Sequence, residues 1–199
     1  MTLRDEGLIL TGMEIRRAQS ADLERMHDID GTIESSHYLH VDRSGEGLAA
    51  QWRLEERPLR EKRIERNRPA DAGQFLLKQI VRGADEGTVL LAEHEGLIVA
   101  LLVVQPLPDF GTTKVIDLRV DFDYRRQGLA MAMLYQVIAE SREREFRAVA
   151  AECRTDNIPA CRLFAKLAFD LAGLDTQRHS NHDLVKESAT LFWYAGLGG

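Results

Sequence analysis

Between Thr88 and Gln105 the chain is almost continuously apolar, in two runs, Thr88–Glu93 (TVLLAE) and Leu97–Gln105 (LIVALLVVQ). Only the tight His94-Glu95-Gly96 break separates them, which predicts a β-hairpin. Lys114–Val120 predicts a further strand. The period then changes: Leu129, Ala130, Met133, Leu134, Val137 and Ile138 recur at the spacing of one helix face. Ala148–Cys153 reads as a strand, Ile158–Leu167 as a helix, and Phe169–Thr176 and Thr190–Ala195 as two closing strands. Hairpins and strand–helix units alternate in one chain, which predicts an α/β fold with a mixed sheet and helices on both faces.

The pattern before Thr88 is different. Glu14–Ala18 (EIRRA) is a short strand candidate. Ser20 then offers an N-cap with Asp22 in the first turn, and Leu23, Met26, Ile29 and Ile33 predict a helix running to about Glu34. In Asp42–Arg68, 14 of 27 residues are charged, eight basic and six acidic, so no apolar face stands out. Mixed signs and the favourable Glu56→Arg60 spacing predict exposed helices, with Pro58 starting or breaking one of them. Gln74–Val81 (QFLLKQIV) predicts one more helix. Residues 42–84 are thus expected to form a charged helical insertion in a single domain. No internal repeat and no linker rich in Pro, Gly or Ser marks a second one.

Composition narrows the class of protein. A chain of 199 residues, 44% hydrophobic and 29% charged, is of a size and balance that close one globular core. The net charge of −6 argues against nucleic-acid binding. Only Cys153 and Cys161 are present, which fits a reducing compartment and no disulfide scaffold. Both fall in apolar surroundings and read as buried structural thiols. The start MTLRDEGLILTGMEI carries no long apolar run, and no stretch reaches the roughly 18 apolar residues of a membrane helix. The expectation is a cytoplasmic protein without membrane partners, for which a homodimer is compatible.

The chemistry concentrates in Val115–Met133 (VIDLRVDFDYRRQGLAMAM). A strand ends at Val120, and the turn Asp121–Gln127 leads into a helix with Gly128 in its first turn. Free amides at such a helix start, with the positive end of the helix dipole, make an anion site. Gly128 and Ala130 let a bulky diphosphate approach, and Arg125 and Arg126 complement phosphate charge. The same residues also suit a plain strand–turn–helix with solvated arginines. Neither GxxxxGK(S/T) nor GxGxxG is present, so the turn is neither a P-loop nor a dinucleotide fingerprint.

Arg125-Arg126-Gln127-Gly128-Leu129-Ala130 resembles the (Q/R)-x-x-G-x-(G/A) acyl-CoA signature of the GNAT acetyltransferase superfamily. About thirty residues on, Asn157–Phe169 (NIPACRLFAKLAF) resembles that superfamily's N-x-x-A-x-x-x-Y-x-K-x-G-F stretch. The C-terminal half is most similar to streptothricin acetyltransferases, through the DYRR turn, the AC and AK pairs after Asn157, Asp175-Thr176, Ser180-Asn181 and the final FWY. The likeness covers residues 88–195 and implies the GNAT fold and acetyl-CoA as cosubstrate, with no metal. It implies that the strand before the signature splays from its neighbour, so that Leu118 and Val120 present backbone groups to the pantetheine arm. Arg125 and the amides of Arg126, Gln127, Gly128, Leu129 and Ala130 then hold the pyrophosphate. Asn157 meets the pantetheine or simply caps its helix, and Lys166 reaches a CoA phosphate or remains a surface lysine.

Two positions depart from the pattern. The tyrosine that protonates the leaving thiolate corresponds to Phe164, which has no hydroxyl, and the glycine before the phenylalanine is Ala168. A general acid is typically worth about 10²–10⁴ in rate, so a non-catalytic acyl-CoA-binding protein stands as the alternative to an enzyme.

Acyl transfer to an amine needs a neutral nucleophile, and an alkylammonium is only about 0.1% neutral at pH 7. Glu152 is the candidate base, an acidic residue in an apolar strand beside the cleft. Asp117 is the second candidate, with Arg119 on its face as a ready ion-pair partner. Tyr38, with His37 and His40, follows the first predicted helix, where this fold closes over the acceptor. These residues contact substrate or cover the edge of the core. His179, His182 and Asp183 form H-x-x-H-D, read as a loop near the acceptor site rather than as a metal site. Together these readings predict direct acetyl transfer to a primary amine of a small molecule, streptothricin-like or other, with a protein or peptide amine also open.

Overall fold

The computed structural model describes residues 8–10, 12–66 and 71–198. Hydrogen-bonded strand neighbours follow the order β1 (Leu8–Leu10), β2 (Met13–Arg17), β5 (Thr88–His94), β6 (Leu97–Leu107), β7 (Thr112–Val120), β8 (Ala148–Arg154), β10 (Thr190–Gly196) and β9 (Asp170–Asp175), and β3 (Ile33–Ser44) and β4 (Gln51–Glu65) form a separate two-stranded sheet. β7 (Thr112–Val120) and β8 (Ala148–Arg154) pair in parallel, while β1–β2, β2–β5, β5–β6, β6–β7 and β9–β10 are antiparallel. This is the mixed α/β architecture expected. The chain divides into two compact units.

The first unit holds the described residues up to Thr32, Arg66–Ala150 and the chain from Gly196. Its centre is β6 (Leu97–Leu107), where Ile98 to Val104 are all buried. A strand covered on both faces needs no polar alternation, which is why LIVALLVVQ reads as a continuous apolar run. β5 (Thr88–His94) pairs with it across a two-residue turn, Glu95 and Gly96, both with positive φ (46° and 82°). Val89, Leu91, Leu101 and Val103 point to one face, where Leu77 and Ile80 of α1 (Asp71–Val81) join them with Met26 and Ile29. Alternation sends Leu90 and Leu102 to the other face, and there Met133, Leu134 and Val137 of α2 (Leu129–Glu143) are fully buried. A buried Ser141 Oγ–Thr113 Oγ1 hydrogen bond of 2.7 Å ties α2 to β7.

The second unit holds Ile33–Glu65 and Ala151–Ala195. α3 (Ile158–Lys166) buries Ile158, Cys161 and Phe164, and β9 (Asp170–Asp175) pairs with β10 (Thr190–Gly196). Cys153 and Cys161 are both buried free thiols, 3.5 Å apart, and Trp193 Nε1 donates to Cys153 Sγ at 3.2 Å. The hydrogen bond with Cys153, and then burial, raise the pKa of the Cys161 thiol well above its ordinary range.

Two expectations are corrected. The helix expected over residues 20–34 is instead two short 3₁₀ turns, Ser20–Asp22 and Arg25–Asp28, followed by β3 from Ile33. Met26 and Ile29 do reach the core, but the Asp22 carboxylate is drawn into bonds to Arg16 (2.7 and 2.8 Å) and to Gln19 N, which close a single turn. The exposed helices expected from Asp42 to Arg68 are a long β-ribbon, β3 (Ile33–Ser44) and β4 (Gln51–Glu65); Asn67 and Arg68 lie outside the described residues. Pro58 breaks no helix. It sits in the ribbon where the register shifts, His37 facing Pro58 while Ser35 faces Arg63. The mixed charges act across strands and toward the rest of their unit. Arg57 bonds Asp42 at 3.3 Å, Arg43 stacks on Trp52, and Arg162 bonds Glu56 at 2.6 Å. Arg63 pairs with the buried Asp156, and Arg154 pairs with Glu65. The helix expected at Gln74–Val81 forms within α1.

Candidate functional site

In the first unit the predicted residues Asp117, Leu118, Val120 and Arg125 to Ala130 form one continuous stretch. β7 pairs with β8 only at Thr112–Lys114 against Ala148–Ala150, whereas its ladder with β6 continues to Val120 against Ala100. The second half of β7, including Leu118 and Val120, therefore keeps a ladder on the β6 side alone in this unit. A bulge accompanies the change. Val104 faces Val115 and Val103 faces Asp117, so Ile116 is the extra residue and packs against the core cluster.

The turn after β7 is held by its own side chains. The Asp121 carboxylate accepts from Asp123 N (3.2 Å) and Asp30 N (2.9 Å), and Arg125 Nε donates to Val120 O at 3.0 Å while its guanidinium covers Phe122. Arg125 is thus occupied in shaping the turn. Arg126 has φ 65° and Gly128 φ 87°, both left-handed values. Arg126, Gln127 and Gly128 are all exposed, and the start of α2 carries no side-chain cap. Unlike the cap of α3, these first-turn amides remain available to a ligand.

Asp117 and Arg119 form a nearly enclosed pair, Nε to Oδ2 2.9 Å, with side chains 12% and 7% exposed. Burial raises the Asp117 pKa, and the Arg119 charge opposes the shift.

The other candidates lie in the second unit. Glu152 is half-buried on the more open face of β8, with Arg178 Nη2 at 3.2 Å from its Oε2. Asn157 caps α3, its Oδ1 accepting from Ala160 N at 3.2 Å. Lys166 is exposed in the last turn of that helix. Phe164 is 3% exposed, its ring 5.3 Å from Phe169 and 6.1 Å from Trp193, centroid to centroid. Thr155, just after β8, gathers three segments: its O accepts from Leu39 N, its N donates to Ala189 O, and its Oγ1 donates to Glu187 O. Tyr38 and the loop carrying His179 are thereby brought to the end of the strand that bears Glu152.

That loop is closed by Asp183, 1% exposed, which accepts from His179 N (2.9 Å) and Ser180 Oγ (2.7 Å). These bonds hold its carboxyl below the usual range. His179 Nε2 lies 3.4 Å from Thr190 Oγ1. Three features escape a reading of the sequence. Arg178 is the partner of Glu152, Glu187 meets Tyr38, and Tyr38, His40 and Asp42 form a hydrogen-bonded line. The last has a signal, polar residues at alternate positions, but it is visible only once residues 33–44 are read as a strand.

Residues 48–169 match the acetyltransferase (GNAT) family model. Streptothricin acetyltransferase A of Bacillus subtilis (strain 168) is 34% identical over 84 residues, 42% of this chain, and the match spans about half (48%) of that protein's length. The crystal structure of nourseothricin acetyltransferase superposes with a TM-score of 0.75 at 20% identity, covering 94% of this chain and all of that one. A Bacillus anthracis str. Ames protein named for streptothricin acetylation, solved in complex with acetyl coenzyme A, gives 0.76 at 15% identity, covering 96% of this chain and all of that one. The two structural likenesses establish the fold. Among the described residues no helix is long and apolar enough to cross a membrane.

Proposed function

The chain belongs to the GNAT acetyltransferase family, and from that premise we propose that it is an acetyl-CoA-dependent N-acetyltransferase acting on a primary amine of a small molecule. The observation that carries the reading is the Asp121–Ala130 turn: left-handed backbone at Arg126 and Gly128, an uncapped and exposed start to α2, and a preceding β7 whose ladder with β8 covers Thr112–Lys114. The amides of Arg126 to Ala130 would hold the pyrophosphate, and backbone groups of Leu118 and Val120 the pantetheine arm. Asn157 would add its side chain, and Lys166 its charge. CoA supplies the activated acetyl group; the chain positions it and manages protons.

Glu152 is the proposed base. Its bond to Arg178 orients the half-buried carboxylate, which can accept a proton from the acceptor ammonium directly or through water. Asp117 is the second choice, because its carboxylate is more enclosed than that of Glu152 and its arginine partner is buried with it. Tyr38 and His179, both tied to the segment around Thr155, are proposed to face the acceptor. The names of the relatives make streptothricin-like compounds the first acceptors to try.

Phe164 favours a second reading, a non-catalytic acyl-CoA-binding protein, since no hydroxyl stands at the position of the family's proton donor. Thiol release from acetyl-CoA separates the two. The test is a panel of streptothricin, lysine derivatives, polyamines, aminoglycosides and peptide N-termini. Turnover that falls in Glu152→Gln and partly recovers as pH rises supports the enzyme. Tight CoA binding with no thiol release from any amine supports the second reading.

A further inference from the structure

Phe164 lacks a hydroxyl and is enclosed by Phe169 and Trp193, so the proton for a departing thiolate must come from elsewhere. The same unit contains a phenol with a relay behind it. On β3 the side chains of Tyr38, His40 and Asp42 share one strand face, two residues apart. Tyr38 Oη lies 3.1 Å from His40 Nδ1, and His40 Nε2 lies 3.0 Å from Asp42 Oδ1. The Tyr38 and His40 rings meet edge to face at 5.8 Å. Exposure rises along the line: Tyr38 is 7% exposed, and the side chains of His40 and Asp42 are 29% and 54% exposed. A buried hydroxyl is thus connected through an imidazole to a solvated carboxylate, an arrangement suited to carrying a proton inward.

We propose that Tyr38 is the general acid of the acetyl transfer and that His40 and Asp42 are positioning residues that recharge it, an inference that rests on the N-acetyltransferase reading above. When the C–S bond of the tetrahedral adduct breaks, the electron pair leaves on sulfur. Sulfur takes the Tyr38 O–H proton, and the phenolate takes the Nδ1 proton of the His40 imidazolium. Asp42, accepting from Nε2–H, stabilises that imidazolium and fixes its orientation. Solvent returns to His40 the proton lost by the acceptor ammonium, so the cycle balances. The surroundings keep the phenol protonated at neutral pH: burial and the hydrogen-bonded Glu187 carboxylate raise its pKa, against the opposing charges of Arg57 and Arg60. Arg57 also bonds Asp42 at 3.3 Å and Glu55 at 2.8 Å, anchoring the outer end of the line.

The test compares two acetyl donors, acetyl-CoA and the acetyl thioester of an aryl thiol, whose thiolate leaves without protonation. The acceptor is the amine that the parent protein turns over fastest. Tyr38→Phe is expected to lower turnover with acetyl-CoA by about 10²-fold, the lower end for a lost general acid. With the aryl thioester the loss should shrink to a few-fold, and CoA affinity should stay at the parent value. A merely structural role would reduce both donors alike. Asp42→Asn, at an exposed residue, reads the same relay without touching the buried ring. Removing that anion takes away the partner that orients the ring, so turnover with acetyl-CoA should fall by more than turnover with the aryl thioester. Parental turnover in Tyr38→Phe, or an equal loss with both donors, overturns the relay while leaving the acetyltransferase reading intact. Absence of thiol release by the parent protein with every amine overturns that reading, and the relay with it.

Discussion

Replacing Phe164 by Tyr restores the family's hydroxyl, and the structure predicts that it destabilises the protein without a gain in rate. The ring is 3% exposed and lies between Phe169 and Trp193, 5.3 and 6.1 Å away. The indole N–H, the polar group on these rings, is already committed to Cys153 Sγ at 3.2 Å. A phenolic hydroxyl placed there loses its water and finds no ready partner, which costs about 1–3 kcal/mol. For a chain of this length each kcal/mol lowers Tm by about 2–4 °C, so the expected drop is about 2–12 °C. Calorimetric or fluorescence-monitored melting of Phe164→Tyr measures it directly, and thiol release measures the rate in the same sample. An unchanged Tm together with faster turnover would contradict this expectation. It would mean that the para position of this ring opens onto the reacting groups and that the missing hydroxyl limits the enzyme.

Three further outcomes are expected. Arg63→Ala removes one of two cations from Asp156, whose side chain is 1% exposed; Arg154 Nε remains at 3.0 Å, so the loss in a urea titration should be about 1.5–3 kcal/mol. Asp22 has a depressed pKa, chiefly through its hydrogen bonds to Arg16. Its stabilisation is therefore fully present above the unfolded value near 3.9 and lost as pH falls through the folded one, so the stability gap between parent and Asp22→Asn seen at neutral pH should close in acid. Glu152→Gln should leave the melting temperature and CoA affinity close to the parent values while slowing thiol release, with partial recovery at high pH where more amine is neutral.

Most of the fold after Thr88 is legible from the chain, because burial there leaves a periodic trace. β6 is covered on both faces and reads as an unbroken apolar run, the Glu95-Gly96 turn carries its own positive-φ chemistry, and α2 buries one stripe. The β3–β4 ribbon leaves no such trace. Both of its faces are largely solvated, so β4 shows no alternation, and a Glu–Arg pair four apart suits a helix equally well. Its partners, Arg63 to Asp156 and Arg154 to Glu65, are far apart in sequence and invisible to local spacing. The proposed cofactor turn is readable as Arg-Arg-Gln-Gly-Leu-Ala, but the sequence does not reveal that Arg125 is spent on Val120 O and Phe122. The same limit hides the Tyr38–His40–Asp42 line, which exists only at strand spacing.

If the exposed turn at Arg125–Ala130 is a CoA site, CoA binding separates the parent protein from Gly128→Glu. At about 100 times its Kd, CoA should stabilise the parent by about 2.7 kcal/mol, a rise in Tm of about 5–11 °C. Gly128 has φ 87°, so glutamate there adds backbone strain of about 1–2 kcal/mol, and the melting curve without ligand establishes that the variant is folded. Titration calorimetry should detect no CoA binding to the folded variant, and CoA should no longer raise its Tm, because the new side chain sets bulk and negative charge against the diphosphate. A folded Gly128→Glu protein that binds CoA with the parent's affinity would contradict the CoA site at this turn.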